Sequence, residues 1–225
     1  MDTLLVILAK KPVPGQVKTR FCPPLSPEAA AALYHCFLLD ILEEMGRLPE
    51  VSLALAYSPP ESLSFFQKVA PPGCRLAPQE GKDLGERLVQ ALAWGFSQGF
   101  TRVLIRNSDS PNLPGRLILE ARAALGAKGA EVVLGPCPDG GYYLVGLTAP
   151  HPRLFEEMPW STDLVLNATR DRARNLGLAL HLLPPWPDMD NYEDLKDFMK
   201  KGPPAVDAPG RRTYIEVQKR VSPLD

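Results

Sequence analysis

Strand-length apolar runs alternating with helix-length periodic segments constrain this chain more than any other feature. LLVILA (4–9), VSLALAY (51–57), RVLI (102–105) and EVVLG (131–135) are short continuous apolar runs, the pattern of strands buried on both faces. Between them the spacing turns helical. Ser26 stands as an N-cap with Pro27 at the first helical position, and Leu33, Phe37, Ile41 and Met45 then recur every four residues as far as Gly46. A short helix is predicted over 61–69, a longer one opening at Asp83, and others over 114–125, 162–175 and 192–200. YYLVGL (142–147) and LALHLL (178–183) read as further strands. Such alternation predicts an α/β fold, a mostly parallel sheet with helices on both faces. The break GPPAVDAPG (202–210) sets off a tail whose TYIEVQKRV (213–221) suits an edge strand or a short helix. The expected division is one domain over 1–201 and a Pro-rich break with a C-terminal tail over 202–225.

Composition narrows the function classes. With 225 residues and 45% apolar content the chain can bury a substantial core. A formal net charge of −1 argues against nucleic acid or a membrane surface as a partner of the whole molecule, so any electrostatic attraction is local. No apolar run approaches the ~18 residues of a membrane span. The first apolar run is short for a signal sequence and cations follow it, so a cytoplasmic location is expected. Cys22, Cys36, Cys74 and Cys137 form no CxxC pair and read as reduced thiols. His35, His151 and His181 are isolated, and neither HExxH nor GxSxG occurs.

Chemistry gathers at strand ends, where open α/β sheets bind ligands. The first strand runs into KKPVPGQVKTR (10–20), a loop with the mutually repelling cations Lys10, Lys11, Lys18 and Arg20, stiffened by Pro12 and Pro14 with Gly15. Pinned cations beside exposed backbone N–H groups suit a phosphate chain; the same loop can also be a solvated basic turn. It is neither a Walker A sequence nor a GxGxxG fingerprint. Asp109 follows RVLI, Asp139 sits in PDGGYYL, and Asp188 and Asp190 alternate in PWPDMDNYEDL. Taken singly, an Asp at such a place can be a turn former or, as DG, a hairpin signal. Taken together, convergent carboxylates repel unless a cation joins them, and oxygen ligands favour Mg²⁺ or Mn²⁺ completed by substrate phosphates.

In order along the chain, LAKKPVPGQVKTR, SPEAAAALYHCFLLD, QEGKDLGERL, SDSPNLP, GPCPDGGYYLVGL, PWST and DMDNYEDL resemble a bacterial family called glycosyltransferase-A-like, from about residue 4 to residue 199. The first loop, the SDSP turn and the DGG turn are also similar, more loosely, to the 2-phospho-L-lactate guanylyltransferases. The resemblance implies the three-layer α/β/α, Rossmann-like GT-A fold of nucleotide-diphospho-sugar transferases. It implies Asp109 and Asp139 as catalytic groups and Asp109 with Asp190 on the metal. It also implies Lys10, Lys18, Arg20, Gly85, Glu86, Asn107 and Ser108 as the nucleotide- and phosphate-binding set. The chain carries Asn107 where the family usually has Gly, and Asn112 where it usually has Asp. Asn107 adds a side chain beside the nucleotide pocket.

The expected function is a transferase dependent on Mg²⁺ or Mn²⁺, acting on a nucleoside triphosphate or nucleotide-sugar and passing its group to a small-molecule acceptor. Glycosyl and nucleotidyl transfer both fit these residues, and a homodimer is left open. The alternative, motivated by Asn107, is an inactive nucleotide-binding protein of the same fold. A purely structural module accounts for the fold but not for the clustered loop chemistry.

Overall fold

A computed structural model describes residues 2–126 and 129–220. Seven strands form one sheet in the order β3-β2-β1-β4-β6-β5-β7. They are β1 (Thr3–Lys10), β2 (Val51–Ser58), β3 (Arg75–Pro78), β4 (Arg102–Arg106), β5 (Val132–Pro136), β6 (Tyr142–Leu147) and β7 (Leu180–Leu182). All neighbouring pairs are parallel except those of β6, which runs antiparallel to both β4 and β5. The cause is local. Only residues 137–141 join β5 to β6, and Gly140 takes φ +88°, so the chain reverses in a hairpin instead of crossing over.

The helices are α1 (Pro27–Gly46), α2 (Leu63–Val69), α3 (Leu84–Ser97), α4 (Gly115–Ala124), α5 (Val165–Asn175), α6 (Tyr192–Lys200) and α7 (Arg211–Arg220). Alternation along β1 assigns them to faces. Leu5, Ile7 and Ala9 join a core with α1, α2, α4, α6 and α7, whereas Leu4 and Val6 join one with α3 and α5. The α1 stripe is fully engaged: Leu33, Phe37 and Ile41 are 0% exposed and Met45 1%. Burying four such side chains contributes roughly 1.5–3 kcal/mol each before entropy is counted.

The expected strands and helices form, with shifts at some ends. The helix expected from 162 begins at Val165, because Thr162 spends its hydroxyl on Pro159 O (2.7 Å) and Leu166 N donates to Gly140 O (2.8 Å). β3, a short half-exposed edge strand, carried no recognisable pattern. The segment read as strand or helix over 213–221 is helical up to Arg220; Val221 lies outside the described residues. α7 packs on α1. The buried Asp40 of α1 accepts from Thr213 N (2.8 Å) and Arg212 N (3.1 Å), and Val217 enters the α1 core. All four cysteines are free thiols. No helix among the described residues is long and apolar enough to cross a membrane.

Candidate active site

The strand order places the switch point at β1, which has β2 on one side and β4 on the other. Beyond the carboxyl ends of β1 and β4 opens a cavity of about 730 Å³. Lys10, Lys18, Arg20, Asn107, Ser108, Asp109, Asp139 and Asp190 all line it, so residues from four distant segments meet there.

The floor is a tightly bonded acid cluster. Lys18 has a left-handed backbone (φ 48°, ψ 40°), a conformation costing roughly 1–2 kcal/mol in a residue with a Cβ. What holds it there is its ammonium, which contacts Asp109 Oδ1 (2.5 Å), Met189 O (2.6 Å) and Asp190 Oδ1 (2.8 Å). The nitrogen also lies 5.7 Å from the Phe21 ring centre and 5.6 Å from that of Phe37. Burial alone would lower the Lys18 pKa; Asp109 and Asp190 more than offset it and hold the ammonium above its ordinary value. All three donors of Lys18 are thereby occupied. Lys18 was expected on phosphate; in this structure its hydrogen bonds go to Asp109, Asp190 and the Met189 carbonyl.

Asp188 forms the layer beneath. Ser110 Oγ donates to its Oδ1 (2.5 Å), and Asn107 Nδ2 (2.8 Å) and Cys137 Sγ (3.3 Å) to its Oδ2. Burial first, then the Asp109 charge, pushes its pKa up to about 6. Below lies Arg106, 1% exposed, donating to Asn107 O (3.0 Å) and Ser110 O (2.7 Å), with Nη1 unpartnered. Burial lowers the Arg106 pKa to about 10, against the opposing pull of Asp188 and Asp109. Asn107 Oδ1 accepts from Asp109 N (3.3 Å), so its side chain ties the turn after β4 to the 188–190 segment. Met189 N donates to Asp109 O (2.9 Å), and Asp194 of the α6 capping box holds Asp190 N (2.7 Å).

The rim is different. Lys10 and Arg20 are exposed and have no ion pair among the described residues. Asp139 is exposed, and its Oδ1 accepts from Gly141 N (3.0 Å), an Asx-type turn contact. Ser108 and Tyr34 share a hydroxyl–hydroxyl hydrogen bond (2.7 Å), and burial and then Asp109 push the Tyr34 pKa up to about 12. Gly85 and Glu86 fall outside the wall. Trp160 closes over Gly85, where a Cβ would come 2.8 Å from Trp160 Nε1, and the Glu86 carboxylate accepts from Lys82 N (2.9 Å). Their neighbours Leu84 and Arg87 line the cavity instead. Trp160 is a wall residue, whereas Trp186 packs on the core and donates to Asn112 (3.2 Å).

Arg106, Gln79 and Tyr34 escaped the sequence reading. Gln79 lines the cavity with its amide donating to Ala9 O (3.0 Å) and Ala56 O (2.8 Å), bridging the ends of β1 and β2. A charged residue closing an apolar strand was the signal for Arg106; nothing local marks the other two. Among the described residues no three acidic, cysteine or histidine side chains are placed to hold one metal ion. Asp109 and Asp190 do converge on one point, now held by an ammonium, with side chains 33% and 39% exposed toward the cavity. Two carboxylates facing open space fit a Mg²⁺ or Mn²⁺ ion completed by phosphate oxygens and water, not an all-protein cage.

The family described as "uncharacterized protein conserved in bacteria" (DUF2064) matches residues 41–162. A solved structure from Desulfovibrio desulfuricans G20, described as a candidate nucleotide-diphospho-sugar transferase, is 31% identical. It aligns over 97% of this chain and 94% of its own with a TM-score of 0.88. CMP:2-keto-3-deoxy-manno-octonic acid synthetase complexed with CTP aligns over 88% of this chain and 97% of its own, at 11% identity and a TM-score of 0.57. A cytidylyltransferase from Leptospira borgpetersenii serovar Hardjo-bovis aligns over 97% and 93%, at 11% identity and a TM-score of 0.55. At such identities the last two show a shared fold. No curated protein sequence matches.

Proposed function

Since the chain belongs to the DUF2064 family of bacterial proteins, we propose that it is a transferase whose donor carries a nucleoside attached to a phosphate chain. The observation that carries this reading is the single cavity at the switch point, with the paired carboxylates of Asp109 and Asp190 at its floor and Arg20 and Lys10 free on its rim. An acidic floor alone repels phosphate; an acidic floor beneath a cationic rim suits a metal-bound phosphate chain.

Asp109 and Asp190 would hold a divalent ion, which when bound would screen the charge of the donor phosphates. Arg20 and Lys10 bind the departing phosphate groups and stabilise the negative charge that develops there. Asp188, Asn107 and Ser110 keep the acids in place. In glycosyl transfer Asp139, which lines the cavity with Trp160, would take the proton of the acceptor hydroxyl. Nucleotidyl transfer is the first reading, because unpaired rim cations match a pyrophosphate leaving group. Glycosyl transfer is the second, favoured by the description of the 31% identical relative.

The deciding experiment supplies nucleoside triphosphates, Mg²⁺ and a pool of phosphorylated acceptors, and measures pyrophosphate. Release of pyrophosphate supports nucleotidyl transfer. Release of a nucleoside diphosphate from a nucleotide-sugar replaces it with glycosyl transfer. Metal-dependent thermal stabilisation by a nucleotide, with no turnover of any donor, leaves a binding protein.

A further inference from the structure

We propose that Lys18 is a placeholder for the divalent ion. It keeps metal off Asp109 and Asp190 until a diphosphate arrives, so the two bind as a pair rather than metal first. This rests on the reading of the cavity as a metal–phosphate site.

Three oxygens surround the Lys18 nitrogen at 2.5, 2.6 and 2.8 Å, from Asp109, Met189 and Asp190. This is the oxygen environment a hard cation would take, filled by an ammonium. A divalent ion entering alone must break all three bonds and leave a displaced cation beside it in a poorly solvated place, where their repulsion is strong. Little on the floor can take that ammonium. Phe21 and Phe37 lie beside it, and Asp188 already accepts from Ser110, Asn107 and Cys137, while the other acids that line the cavity, Asp139 and Asp163, are exposed.

A diphosphate changes the balance. It brings the anion that a displaced Lys18 needs, on the side of the cavity where Arg20 and Lys10 stand. Lys18 then serves the phosphates as a donor, the role its loop suggests, only after the ion has taken its place. The strained backbone at Lys18 fits a residue with two alternative partner sets.

The test follows Mn²⁺ binding to the full chain by water-proton relaxation enhancement, with Mn²⁺ alone and with inorganic pyrophosphate. Wild type is expected to bind Mn²⁺ alone weakly, and roughly tenfold or more tightly with pyrophosphate, after correction for the Mn²⁺–pyrophosphate complex. Lys18→Met keeps an apolar stem against Phe21 and Phe37 and removes the charge. It is expected to bind Mn²⁺ alone roughly tenfold more tightly than wild type and to lose most of the pyrophosphate effect. Adding Asp109→Asn abolishes that gain. Equal wild-type affinity with and without pyrophosphate overturns the proposal, as does wild type without enhancement in either condition. A Lys18→Met protein with no gain, or a gain that survives Asp109→Asn, overturns it too. If Lys18→Met does not fold, the wild-type pair of titrations decides. The broader transferase reading fails separately, by absence of any nucleotide-dependent stabilisation, whatever Mn²⁺ does in Lys18→Met.

Discussion

The acidic floor and the cationic rim of the cavity carry opposite charges and are built in opposite ways. On the floor, Asp188 accepts three side-chain hydrogen bonds, Asp190 is held at backbone and side chain, and Lys18 has no donor to spare. On the rim, Lys10 and Arg20 stand in solvent without an ion pair among the described residues. On the proposed reading the difference separates two tasks. Groups that would meet an ion at fixed geometry are set in advance, where a misplacement is costly. Groups that would accept phosphate chains of varied position remain free to adjust and lose little stability by being unpaired in water.

Substitutions can break this comparison, beginning with the largest expected effect. Asp188→Ala strips the buried Arg106 of a counter-charge and three donors of their acceptor. It should lower unfolding free energy by ~3–5 kcal/mol in denaturant titrations. A loss near zero would mean that the floor is not over-determined. Asp109→Asn should keep the fold yet reduce transfer, read as pyrophosphate release, by about 10²–10³-fold. Unchanged turnover would move the chemistry away from the floor. Asn107→Gly removes the bridge between the β4 turn and Asp188 and should cost about 1–2 kcal/mol, since Asp188 keeps its other donors. If the variant were instead more stable, the bridge would be strain rather than support. Arg20→Ala should leave stability within ~0.5 kcal/mol of wild type while weakening pyrophosphate binding about fivefold, by calorimetry. A large stability loss there would erase the distinction between floor and rim.

The fold was legible wherever burial writes a period into the chain. The continuous runs of β1, β2, β4 and β5 and the four-residue spacing of α1 name their elements because each buries against a known kind of neighbour. β3 was not legible, since an edge strand of four half-exposed residues needs no apolar pattern. The convergence of Asp109, Asp139 and Asp190 on the first loop could be reasoned from strand ends. The pairing within that convergence could not. Lys18 and Asp190 are 172 positions apart, and nothing near either residue says that the loop's most buried cation turns inward while Arg20 turns out. The cover over Gly85 was not legible for a similar reason. A glycine near a ligand and a glycine under a tryptophan look alike in sequence, and Trp160 supplies the difference.

Asp40 reaches across to the first turn of α7 as a cap donated by another helix, taking Arg212 N and Thr213 N. Cutting the chain after Lys201 would therefore remove the donors of Asp40, 3% exposed in the full chain, and uncover the α1 surface that Val217 covers, on the helix whose Tyr34 and Phe37 stand behind the cation loop. Damage from trimming α7 would be felt at the mouth of the candidate site, which makes that helix a poor place to shorten the protein and its intactness a useful check on any inactive preparation.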